Sequence, residues 1–512
     1  MSFYVTTPIF YVNGPPHIGH AYTAVAADVI ARFQRLDGVD TWFLSGTDEH
    51  GQKVEEAAAA AGLEPQAFTD RVSAEFRAML SVLGISNDDF IRTTEARHRV
   101  GVTALWERLA ARGDIYLGHY EGWYAVRDED FYGPDDLTIL ADGTRVAPTG
   151  APVAWVREPN YLFRLSAYQE RLLAHYEAHP DFVGPPGKRN EMLSFIRGGL
   201  RDLSVSRSSF SWGIPVPGDP AHVMYVWLDA LANYVTALGY PDETTELWRF
   251  WPADLHLVGK DIQRFHAIYW PAFLMAAGLP VPRRIFAHGW WTIEGAKMSK
   301  SVGNAVDPSD LVAKYGLDPV RFFLLREVPF GNDGDYSPAA LVGRLNSDLA
   351  NGIGNLAQRT LSLIAKNCEG RMPGQGPKTD EDLALLGVAD ALPGLARAAV
   401  GRQALHEALE EIWRVIRAAD GYIDAQAPWS LRKTDLSRMG HVLRVLADVI
   451  RVVGVVLQPF MPGSMARLLD QLGVAAEARS LAGLEVALTE GSVLPAPQGL
   501  FPRWVEEVGA TT

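Results

Sequence analysis

Apolar and polar positions follow a strand–helix–strand pattern over the first hundred residues. Apolar runs at residues 4–11 and 41–45 predict buried strands, the second followed by a polar loop at 46–51. Apolar residues spaced by three and four over residues 17–36 predict a helix that Asp37-Gly38 ends. This alternation predicts a parallel sheet covered by helices. Further helical patterns cover residues 53–61, 65–83 and 96–112.

The pattern changes near residue 115. Residues 116–131 and 146–156 are short, aromatic and turn-rich, which is typical of antiparallel strands. Near Tyr225 the alternation returns, and beyond residue 341 only long amphipathic helices are indicated. The later strands are predicted at 255–258 and 285–288, and the later helices at 262–277, 341–367, 379–400, 402–425 and 438–457.

These patterns predict a Rossmann-like α/β domain split by an inserted α+β module and followed by an all-α helical bundle. The predicted division is the first half of the Rossmann-like domain at 1–115, the insertion at 116–224, the second half at 225–290, a linker or stem region at 291–340, and the helical domain with its tail at 341–512.

Composition narrows the class of protein. The chain has 512 residues, which suggests about three domains, and its 48% hydrophobic and 21% charged content is that of a globular protein. Its net charge of −14 disfavours a nucleic-acid partner. The single cysteine, Cys368, cannot close an intrachain disulfide or build a cysteine zinc site. Residues 1–13 lack a basic leader and the apolar stretch 449–461 is too short to span a bilayer, so we expect a cytoplasmic protein that does not enter the membrane.

The first candidate for chemistry is His17-Ile18-Gly19-His20, where a predicted strand gives way to a helix. A helix N-terminus favours an anion because its N–H groups lack partners and the helix dipole is positive there. His17 and His20 share one face of the first turn, and Gly19 lets a flat ring approach the backbone. The pair can donate hydrogen bonds to a polyphosphate, although paired histidines can also serve as a cap or as core.

The second candidate is Lys297-Met298-Ser299-Lys300-Ser301, in a glycine-flanked stretch predicted as a loop after the last strand. Two lysines and two serines in a closing loop can neutralise a leaving pyrophosphate. A lone basic pentapeptide is more often a solvated loop, so its weight comes from its pairing with the early histidine motif.

With both motifs intact, the chain resembles the class I aminoacyl-tRNA synthetases and, within them, the methionyl family, over almost its whole length. A phosphate-binding P-loop and a G-x-G-x-x-G fingerprint are both missing. The resemblance implies that methionine and ATP form methionyl-adenylate and that methionine then passes to the 3′ end of its tRNA, without a covalent enzyme intermediate. It also implies that His17, His20, Lys297 and Lys300 are catalytic and that Mg²⁺ arrives with ATP.

The prediction that methionine is the amino-acid substrate rests on the residues of the predicted pocket. Asp48 lies where a carboxylate can hold a substrate ammonium, although most such residues are ordinary loop or capping groups. Each of two helical stripes alone is more often core than pocket. Together with Tyr11 they match the methionine pocket of the resembled family, and aromatic rings suit a soft thioether. The two stripes are Trp227, Ala230, Leu231 and Tyr234, and Ile262, His266 and Trp270.

The resemblance also assigns ATP-binding residues. It implies that Gly259 and Asp261 hold the adenosine ribose, and that ATP contacts both motifs. The full predicted ATP set is His17, Gly19, His20, Gly259, Asp261, Lys297, Ser299 and Lys300.

One departure from the family concerns zinc. Many relatives carry cysteine zinc knuckles in the insertion, whereas residues 116–167 contain no cysteine, and Ala125 and Asp128 stand in that region. We therefore expect no zinc and no other protein-held metal. Aromatic packing should hold the module instead, from Trp123, Tyr124, Phe131, Tyr132 and Trp155.

The resemblance implies that the helical bundle reads the tRNA anticodon. Asn355 and Arg359 are four residues apart on one helical face, and Pro428-Trp429 is predicted to end another helix and to offer an indole for base stacking. Without the resemblance, Trp429 is as well explained by helix-end packing and Arg359 by a surface charge.

Two alternatives remain at this point: a sister class I synthetase for another apolar amino acid, and a non-catalytic tRNA-binding protein derived from the same fold. The aliphatic-specific relatives usually carry a large editing insertion for which 512 residues leave no room. With no further domain after the bundle, we expect a monomer whose partners are tRNA, methionine and ATP.

Overall fold

The structure is a computed structural model that describes residues 2–128, 130–297 and 306–505. Its strands, in chain order, are β1 Ser2–Thr6, β2 Phe10–Tyr11, β3 Asp40–Asp48, β4 Asp89–Arg92, β5 Ile115–Ala125, β6 Asp130–Tyr132, β7 Thr138–Ile139, β8 Arg145–Val146, β9 Ala154–Phe163, β10 Val183–Gly184, β11 Leu203–Ser204, β12 Ser206–Arg207, β13 Pro215–Val216, β14 Asp219–Met224, β15 Leu255–Gly259, β16 Ile285–His288, β17 Trp291–Ile293, β18 Ala296–Lys297 and β19 Gly334–Tyr336.

The α-helices, in chain order, are α1 Ile18–Leu36, α2 Gln52–Ala60, α3 Pro65–Val82, α4 Ala96–Ala111, α5 Gln169–Ala178, α6 Pro186–Arg197, α7 Val226–Thr236, α8 Trp270–Ala277, α9 Pro308–Tyr315, α10 Leu317–Arg326, α11 Pro338–Arg344, α12 Asn355–Asn367, α13 Asp380–Gly401, α14 Leu405–Gln426, α15 Pro428–Leu431, α16 Leu436–Leu457 and α17 Pro462–Gln471. Two π-helical segments, Phe265–Tyr269 and Leu345–Gly354, lead into α8 and α12.

The central sheet is parallel throughout, as predicted. Its order is β10-β16-β15-β1-β3, and β3 also pairs with β2 and β4. The chain leaves β1 towards β3 on one side and returns to β15 on the other, so the order reverses beside β1. In open α/β sheets ligands bind beyond the carboxyl ends of the strands at such a reversal.

Two of the predicted strands differ in length from the observed ones. The strand predicted at 4–11 breaks into β1 and β2 around Pro8, which has no N–H to give a neighbouring strand. Conversely, β3 runs on to Asp48 through the start of the predicted polar loop, because residues 44–47 pair with β4 and residues 47–48 pair with β2. Gly46 makes this possible, since a Cβ there would lie 2.1 Å from the Ile91 carbonyl oxygen.

The inserted region is mainly antiparallel. Strands β5 and β9 form a long antiparallel pair flanked by β6 and β11, and β12, β14 and β13 form a second small sheet. Strand β10 lies within the predicted insertion range but extends the edge of the central sheet beside β16. At the end of this pair where β5 stops, which we call the insertion tip, Ala125, Ala147 and Ala151 form a small core. The predicted aromatic packing takes the form of a Trp123–Trp155 edge contact 5.3 Å between centroids, and the Phe131 side chain lies outside the described part.

The carboxyl-terminal region is helical, as predicted. The helix predicted at 341–367 is α11, the π-helical segment and α12, with non-helical angles at Gly352. Pro428 starts α15 instead of ending a helix, because Ala427 takes the left-handed conformation (φ 43°) and Pro fits the first turn. Among the described residues, α13 alone has the length and hydropathy of a membrane-spanning helix, and it packs against α14 and α16.

Candidate active site

The first turn of α1 is built by the two histidines of the sequence motif. His17 is the N-cap, and its Nδ1 accepts from the Gly19 N–H at 3.1 Å. The His17 N–H in turn donates to His20 Nδ1 at 3.2 Å, and the rings stack with centroids 3.8 Å apart. Because each Nδ1 accepts, a neutral ring must carry its proton on Nε2. The capping box thus fixes both imidazoles with donating Nε2–H groups.

This turn forms part of a cavity of about 730 Å³ at the carboxyl ends of the central strands. The cavity brings together most of the residues predicted for the two small substrates. The predicted residues that line it are Tyr11, His17, Gly19, His20, Asp48, Trp227, Ala230, Leu231, Tyr234, Gly259, Asp261, Ile262 and His266.

One end of the cavity has a fixed hydrogen-bond direction. His266 Nδ1 lies 2.9 Å from the Ile262 carbonyl oxygen, so this nitrogen is the donor. Burial lowers the pKa of His266 to about 4, which keeps the ring neutral near pH 7 and leaves Nε2 as an acceptor. Tyr234 Oη lies 2.7 Å from that Nε2 and therefore donates to it. Tyr234 and His266 thus form a locked polar pair inside an apolar wall.

Trp227 completes this wall by stacking on Phe265, with centroids 3.6 Å apart and planes 6° apart. Trp270, predicted to line the pocket, lies behind it: the ring is fully buried and packs on Tyr234 at 6.1 Å between centroids. Trp270 lies at the junction of the π-helical segment Phe265–Tyr269 with α8, and its ring packs between Tyr234 and Trp251, which cover it from the cavity.

The predicted ribose residues lie at the carboxyl end of β15, where Gly259 is the last residue of the strand and Asp261 follows in the loop. Asp261 Oδ1 accepts a hydrogen bond from Trp290 Nε1 at 3.2 Å. A Cβ on residue 259 would lie 2.5 Å from the same Oδ1, so only glycine lets the carboxylate fold back over this loop. This arrangement places a carboxylate at the open edge of the cavity.

Several lining residues were not predicted. His288 ends β16, and its Nε2 lies 2.7 Å from Thr23 Oγ1, which is 3.2 Å from the Gly19 carbonyl oxygen. The position of His288 and Trp290 at a strand's carboxyl end was a signal that could have found them. No sequence signal pointed to the insertion residues that reach the cavity, which are Asp128, Tyr132 and Thr149.

The lysine motif is described only at its first residue. The backbone of Lys297 belongs to β18, which pairs with β17, so the motif begins inside a small sheet and not after the last strand. Ser299 and Lys300 lie outside the described residues.

In the bundle the structure brings two of the three predicted anticodon residues into contact. The Arg359 guanidinium lies 5.3 Å from the Trp429 ring centroid and pairs with Asp424 at 2.5 Å. Asn355 is exposed at the start of α12, one turn before Arg359. Trp429 is 39% exposed, which leaves part of its ring accessible to a base.

No group of three or more His, Cys, Asp or Glu side chains that could hold a metal ion is found within the described ranges. The insertion tip instead carries a polar cluster in which Asp128 accepts from Tyr132 Oη at 3.0 Å and from Thr149.

Comparison with known proteins agrees with this geometry. Residues 3–361 match the family model for tRNA synthetases class I (M), and residues 389–510 match the anticodon binding domain of methionyl tRNA ligase. The methionine–tRNA ligase of Mesorhizobium japonicum is 57% identical over 511 residues, covering 99% of each chain. That of Brucella suis is 57% identical over 506 residues, covering 99% of this chain and 98% of its own.

The solved structures give the same result. The Mycobacterium tuberculosis methionyl-tRNA synthetase in complex with methionyl-adenylate superposes with a TM-score of 0.96 at 55% identity, covering 98% of this chain and all of the other. The apo form of that synthetase superposes with a TM-score of 0.90 at 50% identity, covering 99% of each chain.

Proposed function

The chain belongs to the methionyl family of class I tRNA synthetases, and from that membership we propose the roles of its individual residues. It is an ATP-dependent ligase that forms methionyl-adenylate and then methionyl-tRNA. The observation that carries the residue roles is the convergence, in one cavity, of a paired-histidine helix cap, a buried carboxylate and an apolar wall with a Tyr–His pair.

Methionine occupies the end of the cavity between Asp48 and Tyr234. The Asp48 carboxylate holds the substrate ammonium, and Tyr11, Trp227, Ala230, Leu231 and Ile262 enclose the side chain. Because the Tyr234 proton points to His266, the thioether meets aromatic edges and the Tyr234 oxygen and receives no hydrogen bond from Tyr234. Trp270 supports Tyr234 from behind.

ATP occupies the other end, over the start of α1. Its ribose hydroxyls reach Asp261, and its adenine lies against Gly19 and the loop at Gly259. His17 and His20 donate from Nε2 to the phosphates, where charge shifts as the α-phosphate is attacked. Lys297, Ser299 and Lys300 close over the leaving pyrophosphate, and Mg²⁺ enters with ATP as part of the substrate.

The reaction then needs no covalent intermediate on the protein. The methionine carboxylate oxygen attacks the α-phosphorus and pyrophosphate leaves. A ribose hydroxyl at the 3′ end of tRNA next attacks the activated carbonyl, and AMP leaves. The protein contributes by positioning the reactants and stabilising charge.

The anticodon is recognised in the bundle. Trp429 stacks on an unpaired base, and Arg359 and Asn355 hydrogen-bond base edges, with Asp424 holding the guanidinium in place. We assign residues 1–115 and 225–290 to the catalytic domain, 116–224 to the insertion except that its β10 extends the catalytic sheet, 291–340 to the stem and 341–512 to the anticodon domain. The enzyme acts as a cytoplasmic monomer.

Methionine-dependent ATP–pyrophosphate exchange tests these assignments. His17→Asn and Lys300→Ala should each slow exchange at least tenfold while the unfolding midpoint changes little, because both groups act on phosphate charge. Equal loss of exchange and of stability would contradict a catalytic role. Exchange with another amino acid in preference to methionine would contradict the pocket assignment.

A further inference from the structure

Three polar side chains meet in the protein interior behind the methionine pocket. Asp229, on α7, accepts a hydrogen bond from His50 Nδ1 at 2.6 Å through one oxygen and from His98 Nε2 at 2.7 Å through the other. The exposed fractions of these side chains are 0% for Asp229, 3% for His50 and 0% for His98. None of the three lines the substrate cavity, so none is used in the mechanism above.

The two histidines come from different parts of the molecule. His50 follows Asp48 by two residues, at the end of β3, where the substrate ammonium is proposed to bind. His98 lies on α4, and its Nδ1 is 2.8 Å from Thr236 Oγ1 at the end of α7. The hydrogen bond from His50 therefore joins the segment that follows Asp48, at the end of β3, to α7. The hydrogen bond from His98 joins α4 to α7.

Helix α7 carries the other half of the pocket on its opposite face. Trp227, Ala230, Leu231 and Tyr234 line the cavity from this helix, and Asp229 points away from it. The neighbouring Glu49 accepts hydrogen bonds from Arg92 at 2.7 Å and Thr94 at 2.6 Å. These bonds tie the segment after β3 to the end of β4 in the sheet and not to α7. The His50–Asp229 hydrogen bond thus directly connects the two walls of the pocket, which are the end of β3 and helix α7.

The charge of the Asp229 carboxylate makes this hydrogen bond strong. Burial alone raises the pKa of Asp229, but the charge and hydrogen bonds of His50 and His98 outweigh it and lower the pKa to about 2. The carboxylate is therefore ionised at neutral pH, and charge-assisted hydrogen bonds of this length are the strong ones. Removing one partner leaves a buried charge poorly satisfied.

We propose that Asp229 is a positioning residue for methionine recognition: through His50 it fixes the Asp48 carboxylate at a set distance from the side-chain pocket on α7. The enzyme then recognises the span between the ammonium and the thioether, and not each group separately. This inference rests on the proposed role of Asp48 as the ammonium ligand.

Two inhibitors isolate this span. Methioninol keeps the ammonium and the thioether side chain of methionine but lacks the carboxylate, and methylthiobutanol is the same alcohol without its amino group. The ratio of their inhibition constants in ATP–pyrophosphate exchange reports the ammonium contact within one variant. It does not depend on how much of that variant is folded.

The decisive comparison is between His50→Leu and His98→Leu, which each remove a donor from the same carboxylate. We expect His50→Leu to weaken methioninol about tenfold or more while methylthiobutanol changes less than about threefold, and to raise KM for methionine but not for ATP. His98→Leu should leave the inhibitor ratio and KM for methionine near those of the unaltered enzyme. Asp229→Asn, which keeps an acceptor for one histidine, should give an intermediate ratio.

The outcomes separate the inference from the function it rests on. If both histidine variants change the ratio equally, or neither does, Asp229 is a structural group and the inference is wrong. If the unaltered enzyme already binds the two inhibitors equally and Asp48→Asn changes nothing, Asp48 is not the ammonium ligand, and both assignments fall. If Asp48→Asn abolishes the preference for methioninol while His50→Leu keeps it, only the inference falls.

Discussion

Gly259 shows how one missing side chain shapes the nucleotide end of the site. An added Cβ would lie 2.5 Å from Asp261 Oδ1, closer than side-chain atoms can approach. Gly259→Ala should therefore push the carboxylate off its contact with Trp290 and raise KM for ATP about tenfold, with KM for methionine unchanged.

Gly387 offers a matched control for that substitution. It lies exposed in α13 with open space around its Cα, so Gly387→Ala should leave both KM values unchanged and stabilise the helix by about 0.5–1 kcal/mol. Exchange kinetics and urea unfolding measure both effects. An unchanged KM for ATP in Gly259→Ala would remove Asp261 from the ribose site.

His266 predicts how methionine binding depends on pH. With its pKa lowered to about 4, the ring stays neutral from pH 5.5 to 8, and binding should be flat over that range. Protonation below about pH 4.5 turns Nε2 into a donor, breaks the hydrogen bond from Tyr234 and should weaken binding. Titrating the enzyme with methionine and following its intrinsic fluorescence measures this affinity at each pH. The affinity of His266→Gln should not fall in acid. A loss of affinity centred near pH 6.5 would contradict a buried neutral ring.

The substrate residues illustrate what sequence spacing can and cannot predict. Tyr234 and His266 were predicted as members of two separate helical stripes, yet the direction of their hydrogen bond depends on the Ile262 carbonyl, which only the fold brings to Nδ1. Trp270 was predicted from its helical spacing to His266, yet its ring packs between Tyr234 and Trp251, and spacing along one helix does not show which other rings cover a side chain. Asp128 and Tyr132 reach the cavity across the inserted module, at a sequence distance that no local pattern encodes.

Secondary-structure elements were more predictable than the contacts between them. The parallel sheet, the split by an antiparallel insertion and the helical bundle follow from the apolar pattern, because strands buried on both faces give continuous apolar runs and helices with one buried face give a period of 3.6. The extension of β3 to Asp48 was not predictable, since its polar residues are satisfied by pairing with β2 and β4. Likewise β10 is only two residues long, so the sequence places it within the insertion, and only its pairing with β16 shows that it belongs to the central sheet.

The contact between α12 and α15 yields a prediction for tRNA. Trp429→Ala removes the ring over which Arg359 lies, and loss of one stacked base costs about 1–3 kcal/mol. Aminoacylation efficiency should therefore fall about 5- to 150-fold, while pyrophosphate exchange without tRNA stays unchanged. Trp429→Phe keeps an aromatic face and should recover most of the loss. A drop in exchange as well would indicate a packing role for Trp429.

At the scale of the whole molecule, one buried arginine ties the bundle to the catalytic part. Arg321, on α10, has no exposed surface and donates to Asp28 on α1 at 2.6 Å. It also donates to the carbonyl oxygens of Leu83, Pro459 and Phe460, which belong to both parts. The helix that begins with the paired histidines is thus anchored directly to the end of α16.

Arg321→Ala should destabilise the protein by about 3–5 kcal/mol, because it leaves the Asp28 carboxylate buried and short of a partner. Arg397→Ala is the matched control: Arg397 bridges α13 to Asp37 at the end of α1, but it is 52% exposed and should cost less than about 1 kcal/mol. Urea unfolding measures both. Similar losses for the two variants would show that Arg321 is not the main tie.

The net charge of −14 is the last whole-molecule property with a testable consequence. An acidic surface gives little general attraction for phosphates, so tRNA binding must come from local contacts at the bundle and the cavity. We expect a shallow dependence of tRNA affinity on salt, because each phosphate contact adds only about 0.7–0.9 to the logarithmic slope. Replacing the anticodon bases should lower affinity far more than doubling the salt concentration does. Filter binding of the cognate tRNA and of an anticodon variant across a salt series measures how the affinity depends on salt and on the anticodon bases. Equal affinity for the two RNAs with a steep common slope would mean that a basic face, and not base recognition around Trp429, holds the tRNA.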